Sequence, residues 1–311
     1  MTRRALLAAV GLMLLTGCAT GPAPEEAGLD TTAYRLTSQV ELTDVPFHPQ
    51  DAYQCGPAAL ATMMNVAGVD TDADALKPEV YLPARQGSLQ PELRSASRRQ
   101  GLVPYPLEPD FGDLLQELAA GNPVLVLQNL ALEAYPVWHY AVTVGYDLEA
   151  QEMILRSGTT RRETVSFRRF LRTWRSGDHW AMTLHPPGEF PATVDADTYL
   201  RAVAPLENVA PDAAQTSYEQ AARRWPAHAI PHLGLGNLAY ARTAYTDAES
   251  HYRQGLERDP EVTALHHNLA WSLLQQGKDE AGLKHARQAA ALAGTGDSHY
   301  YTALEAALGH R

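Results

Sequence analysis

The 311-residue chain is 45% hydrophobic, enough for two ordinary cores at roughly 100–200 residues per domain. Its formal charge of -11 becomes more negative if Arg3 and Arg4 are removed. No basic patch offers a footprint for a phosphate backbone, which argues against nucleic acid as a partner.

The chain begins with Met1-Thr2-Arg3-Arg4, an apolar run from Ala5 to Leu15, and then Leu15-Thr16-Gly17-Cys18. A positive end, a short apolar stretch and small residues before a cut are the parts of an export signal. The apolar run falls short of the ~20 residues of a spanning helix. Leu-Thr-Gly-Cys resembles the lipobox of bacterial lipoproteins. That resemblance implies that residues 1–17 are a removed signal peptide and that the thiol of Cys18 carries a diacylglycerol anchor. The following stretch, Ala19 to about Ala33, is Pro, Glu, Gly and Thr with few apolar residues, so 18–39 reads as a flexible tether and order is expected near Val40. Ala19 lacks the Asp that retains many lipoproteins in an inner membrane. A cell-envelope site on the outer membrane, facing the periplasm, follows as the expectation.

With Cys18 used by lipid, Cys55 is a lone thiol in an oxidising compartment, where an unpaired cysteine is a liability unless buried or used. From 40 to 187 the pattern predicts helices over Pro57 to Val66, Leu89 to Gln100 and Phe111 to Ala120, the last two stopped by Gly101 and Gly121. Strands follow at Val124 to Leu127, Tyr140 to Tyr146 and Glu152 to Arg156. Ser166 is suited to cap a helix running through Trp174, and Trp180 to Leu184 reads as a last strand. Helices followed by neighbouring strands make an α+β domain.

Pro186-Pro187 to Pro191 marks a joint, after which the sequence turns Ala-rich and helical over 188–311. Ala214 and Ala248, Tyr218 and Tyr252, and Pro226 and Pro260 are each 34 residues apart. That period, with Leu235-Gly236, Tyr245, Ala248, Tyr252, Leu256 and Pro260, resembles the tetratricopeptide repeat. The resemblance implies an all-α helical-repeat domain offering a surface for a protein or peptide partner. His228 and His232 are separated by Pro231, and His266 and His267 are adjacent, so neither pair shows zinc-ligand spacing. No metal or cofactor is expected.

The segment that can carry chemistry is Gln50-Asp51-Ala52-Tyr53-Gln54-Cys55-Gly56-Pro57-Ala58-Ala59. Pro57 suits the first turn of a helix, which puts Cys55 where the positive end of the helix dipole favours thiolate. Gly56 would add backbone freedom behind the sulfur. His139 can act as base and acid near neutral pH. Strand alternation groups it with Ala141, Thr143 and Gly145, a small-residue face expected to receive the Cys55 helix.

Gln50, the Cys55-Gly56-Pro57-Ala58-Ala59 helix start and His139-Tyr140-Ala141-Val142 together resemble the bacteriocin-processing peptidase-like family of papain-like cysteine peptidases. The resemblance covers about Val40 to Pro187. It implies that Cys55 is the nucleophile, His139 the general base and acid, and Gln50 a stabiliser of the oxyanion. The family's Asp, which holds the imidazole, is replaced by Ser157. Asp147 cannot substitute, since eight extended residues at ~3.3 Å each put it roughly 26 Å away. Ser157 is thus the expected orienting residue, in the manner of uncharged third members elsewhere. The implied activity is a lipid-anchored cysteine peptidase that cleaves peptide bonds and uses its repeats to bind substrate or partner. Two alternatives stay open: a peptidase-fold binding protein with weak or no turnover, and an acyl-transfer or deamidation activity on the same thiol.

Overall fold

The computed structural model describes residues 36–49 and 54–294. The expected signal, the lipidation site Cys18, the candidate oxyanion residue Gln50 and most of the expected tether lie outside the described residues. The first part of the chain forms β1 (Gln39–Glu41), α1 (Cys55–Val66), α2 (Ala73–Val80), α3 (Gln90–Arg99), β2 (Val103–Pro106) and α4 (Phe111–Ala119). It continues through β3 (Val124–Asn129), β4 (Trp138–Asp147), β5 (Glu152–Ser157), β6 (Thr160–Ser166), α5 (Phe167–Arg175) and β7 (Ala181–His185). Ordered chain begins before Val40: the Ser38 carbonyl accepts the Leu148 N–H at 2.8 Å, and Leu36 packs on the core.

The strands form one antiparallel sheet in the order β2-β7-β3-β4-β5-β6, with β1 paired to the end of β4. Both faces are covered. On one, Leu60, Met63 and Met64 of α1 meet Tyr140, Val142, Val144 and Ile154. On the other, Leu114 and Leu118 of α4 and Phe170 and Trp174 of α5 meet Val124, Val126, Ala141 and Leu155. Helix α1 therefore lies against the large-residue face of β4 and not, as the alternation argument held, against Ala141 and Thr143. The small residues that permit close approach are on the helix itself, at Ala58, Ala59 and Ala61, all buried. Gly145 is small for another reason, since a Cβ there would overlap the Val40 carbonyl of β1.

The rest of the described chain is helical: α6 (Ala196–Val203), α7 (Leu206–Val209), α8 (Pro211–Arg224), α9 (Ile230–Ala241), α10 (Tyr245–Arg258), α11 (Thr263–Gln275) and α12 (Asp279–Ala293). The period has a steric cause. Gly234 lies under the Tyr218 ring and Gly236 under the Tyr252 ring, and a Cβ at either glycine would overlap the ring it faces. Helices α8 and α10 end at Arg224 and Arg258, two residues ahead of Pro226 and Pro260.

The joint at 186–191 does not interrupt the core. Tyr199, Leu200, Val203 and Leu206 belong to the same apolar cluster as Val103, Tyr105 and Leu115. Glu117 of α4, fully buried, fixes the crossing: its carboxylate accepts from the N–H groups of Ala192 (3.1 Å) and Thr193 (2.7 Å), the Thr193 hydroxyl (2.6 Å) and the Asn122 amide (2.7 Å). A buried charge needs this many donors to offset its lost hydration.

Candidate active site

Cys55 opens α1, and its sulfur lies within hydrogen-bonding reach of the backbone N–H groups of Cys55, Gly56 and Tyr140. The Tyr140 nitrogen is bonded to the carbonyl carbon of His139, so the sulfur lies beside the backbone at the start of β4, while the imidazole makes its hydrogen bond to Ser157 and not to the sulfur. Burial pushes the Cys55 thiol up, and the three N–H groups pull it down by less. The net direction is opposite to the one that the helix start alone suggests. The dipole is present, but the sulfur is also shut away from water, which favours the uncharged thiol. Burial likewise lowers His139, against an opposing pull from the Glu163 carboxylate. Both shifts favour the uncharged forms.

His139 Nε2 and Ser157 Oγ are 3.0 Å apart, so the structure brings those two candidate residues together across β4 and β5. The pairing leaves Nδ1 as the ring nitrogen not engaged by Ser157. A β-bulge between Leu155 and Ser157 shifts the β5–β6 register next to this contact. On the side of Ser157 lies an enclosed cavity of about 40 Å³, lined in part by Gln128, Ser157, Glu163, Arg169 and Thr173.

Residues 42–181 match the Peptidase C39 like family, and residues 199–262 and 233–297 each match the tetratricopeptide repeat. The chain carries a C39-like peptidase domain followed by tetratricopeptide repeats. Among solved structures, it is similar to a C39-like peptidase of Bacillus anthracis, with 19% identity over 48% of this chain and 98% of that one and a TM-score of 0.41. It is also similar to the peptidase domain of Streptococcus ComA, a bi-functional ABC transporter involved in a quorum-sensing pathway. There the identity is 19% over 46% of this chain and 98% of that one, with a TM-score of 0.37. No curated protein matches the chain.

Three features of this C39-like domain escape a reading of the sequence. Arg156, 4% exposed, donates to the carbonyls of Val45, Thr43, Leu42 and Arg161, and so ties the segment leading toward Cys55 to the strand that carries Ser157. Gly56 adopts ordinary helical geometry rather than a conformation reserved for glycine. Its lack of a side chain answers a steric demand, because a Cβ there would overlap Ser88. The Tyr140 hydroxyl in turn donates to the Ser88 carbonyl at 3.3 Å, locking the 88 region over the head of α1.

The β3–β4 turn forms an apolar rim beside the site. Leu132, Tyr135, Val137 and Trp138 are all more than half exposed, ending at the residue before His139. Asn129 Oδ1 accepts the N–H groups of Ala131 and Val137, which gives this exposed turn a fixed base.

Proposed function

We propose that this protein is a cysteine peptidase that acts through Cys55 and His139, tethered to the cell envelope by lipid on Cys18. The carrying observation is one junction: the sulfur at the head of α1 lies against the Tyr140 N–H, and the preceding residue, His139, holds Ser157 at 3.0 Å. With Nε2–H donated to Ser157, Nδ1 is the free lone pair. As the sulfur attacks a peptide carbonyl carbon, its proton passes to Nδ1, and the imidazolium then gives that proton to the departing amine. Water releases the acyl group from sulfur in the reverse sense. The Cys55 N–H and Gln50 are the groups assigned to the oxyanion. Burial favours the neutral form of both partners, which supports proton transfer during attack rather than a preformed ion pair. The apolar rim supports a substrate with a hydrophobic segment beside the scissile bond.

The lipid anchor, the outer-membrane address facing the periplasm, and the boundaries 40–187 and 188–311 remain parts of the same reading, drawn from the sequence. The repeats contribute a cavity of about 470 Å³ lined by Asn237, Tyr240, Tyr252, Asn268 and Trp271, suited to a peptide segment of substrate or partner. The deciding experiment compares protein N-termini in cells carrying wild-type or Cys55→Ala chain. Loss of a defined set of N-termini in the variant is the expected result, and identical sets would refute cleavage.

A second reading is favoured by the thiol held up by burial and by Ser157 where the family has an acid. In it the domain is a binding scaffold that works through the repeats. That reading requires Cys55→Ala to leave cellular function intact.

A further inference from the structure

We propose that Glu163 is a positioning residue that supplies, through Ser157, the negative charge missing from position 157, steadying His139 when it is protonated. The proposal rests on the reading of Cys55 and His139 as nucleophile and base.

The geometry begins with the small cavity lined by Ser157, the residue that bonds the imidazole. Gln128 stands opposite His139 in the β3–β4 register, Ser157 bonds its ring from β5, and Glu163 reaches the same cavity from β6. Arg161, Arg162 and Thr164 of β6 are exposed, whereas Glu163 is half-buried and turned inward beside Val165. An acid pointed inward on a strand at the sheet edge costs hydration, and a local role can offset that cost. The neighbouring Arg162 does not neutralise it, being paired with Glu41 at 2.9 Å. Arg169 of α5 is the cation that shares the cavity. Gln128 has its amide committed to Thr173 Oγ1 at 2.7 Å.

The base role given to Nδ1 puts the ring proton on Nε2, so Ser157 Oγ accepts it and the hydroxyl's own proton needs an acceptor. A carboxylate accepts only. At about 40 Å³ the cavity has room for a single water to bridge hydroxyl and carboxylate. No proton reaches Glu163 in this arrangement. The thiol proton goes to Nδ1, Ser157 keeps its hydrogen, and the carboxylate stabilises the resulting positive ring. The Glu163 charge already acts on His139 in the direction this requires.

The test is an NMR titration of His139 in the full chain, its signal assigned by loss in His139→Gln, together with the rate of Cys55 alkylation by iodoacetamide. Glu163→Gln, nearly isosteric and checked for folding by near-UV circular dichroism, should move the titration to lower pH by roughly tenfold in the protonation equilibrium. Glu163→Asp should hold most of it. Ser157→Asp, which restores the acid at the ring itself, should make Glu163→Gln silent in the double variant. A titration unmoved by Glu163→Gln, or a shift that persists undiminished in the Ser157→Asp background, would overturn the relay. The readout needs no substrate. A Glu163-dependent titration without Cys55-dependent cleavage would remove the peptidase reading and leave the relay, whereas cleavage with an unmoved titration would remove the relay alone.

Discussion

Gly56→Ala sets two known effects against each other. Alanine is favoured over glycine in a helix interior by about 1 kcal/mol, which is an upper bound for Gly56 in the first turn of α1, so propensity alone makes the variant more stable. Its new Cβ, however, would overlap both Oγ and Cβ of Ser88. Rotating the hydroxyl cannot relieve the second clash. Moving the backbone is resisted because the Ser88 carbonyl accepts the Tyr140 hydroxyl at 3.3 Å. Overpacking of this kind costs about 1–3 kcal/mol. The clash therefore outweighs propensity, and a net loss near 1 kcal/mol should lower the melting temperature by roughly 2–4 °C. Thermal unfolding followed by circular dichroism is the assay, run as a double-mutant cycle with Ser88→Gly. On that second background the clash is gone and Gly56→Ala should become stabilising. If Gly56→Ala stabilises the wild-type chain, or if its effect is the same on both backgrounds, steric pressure from Ser88 is not why glycine stands there.

Alkylation of Cys55 by iodoacetamide should climb with pH beyond the midpoint of an ordinary thiol, since burial disfavours the thiolate; a plateau already reached at neutrality would mean a preformed thiolate–imidazolium pair. Glu117→Ala leaves the Ala192, Thr193 and Asn122 donors unmatched and should cost at least about 3 kcal/mol in urea unfolding, so a loss below 1 kcal/mol would discount the clamp. His185, 4% exposed on β7, is lowered from 6.5 to about 4 by burial, so between those values the unfolded chain binds a proton that the folded chain refuses. Its contribution is intact above 6.5 and is lost as pH falls toward 4, up to about 3 kcal/mol. Urea unfolding at pH 7 and 4.5 measures the slope, which His185→Gln should flatten; an unchanged slope in the variant would assign acid sensitivity elsewhere.

Elements with clear start or stop signals or apolar runs were readable from the residues: α1, α3, α4 and α5, and strands β3, β4, β5 and β7. The Ser166 side chain does accept the Arg169 N–H at the start of α5. Strand β2 was hidden by Pro104 and Pro106, which are tolerable only because it lies at the sheet's edge. The other edge strand, β6, is masked by its exposed arginines, and α2 is short and contains Pro78. Around the site, Cys55, His139 and Ser157 could be chosen by motif and spacing. Glu163, Arg156 and Ser88 could not, because each acts across a register or loop contact that the linear order does not encode. The ionisation of Cys55 was misjudged for a related reason: a helix start is a local property, whereas exclusion of water depends on everything packed around it.

The clamp made by Glu117, and the apolar cluster that runs from Tyr105 through Tyr199 to Leu235, leave little slack between sheet and repeats. A segment held around Asn237 would thus be joined to the sheet through packed core and not through a linker.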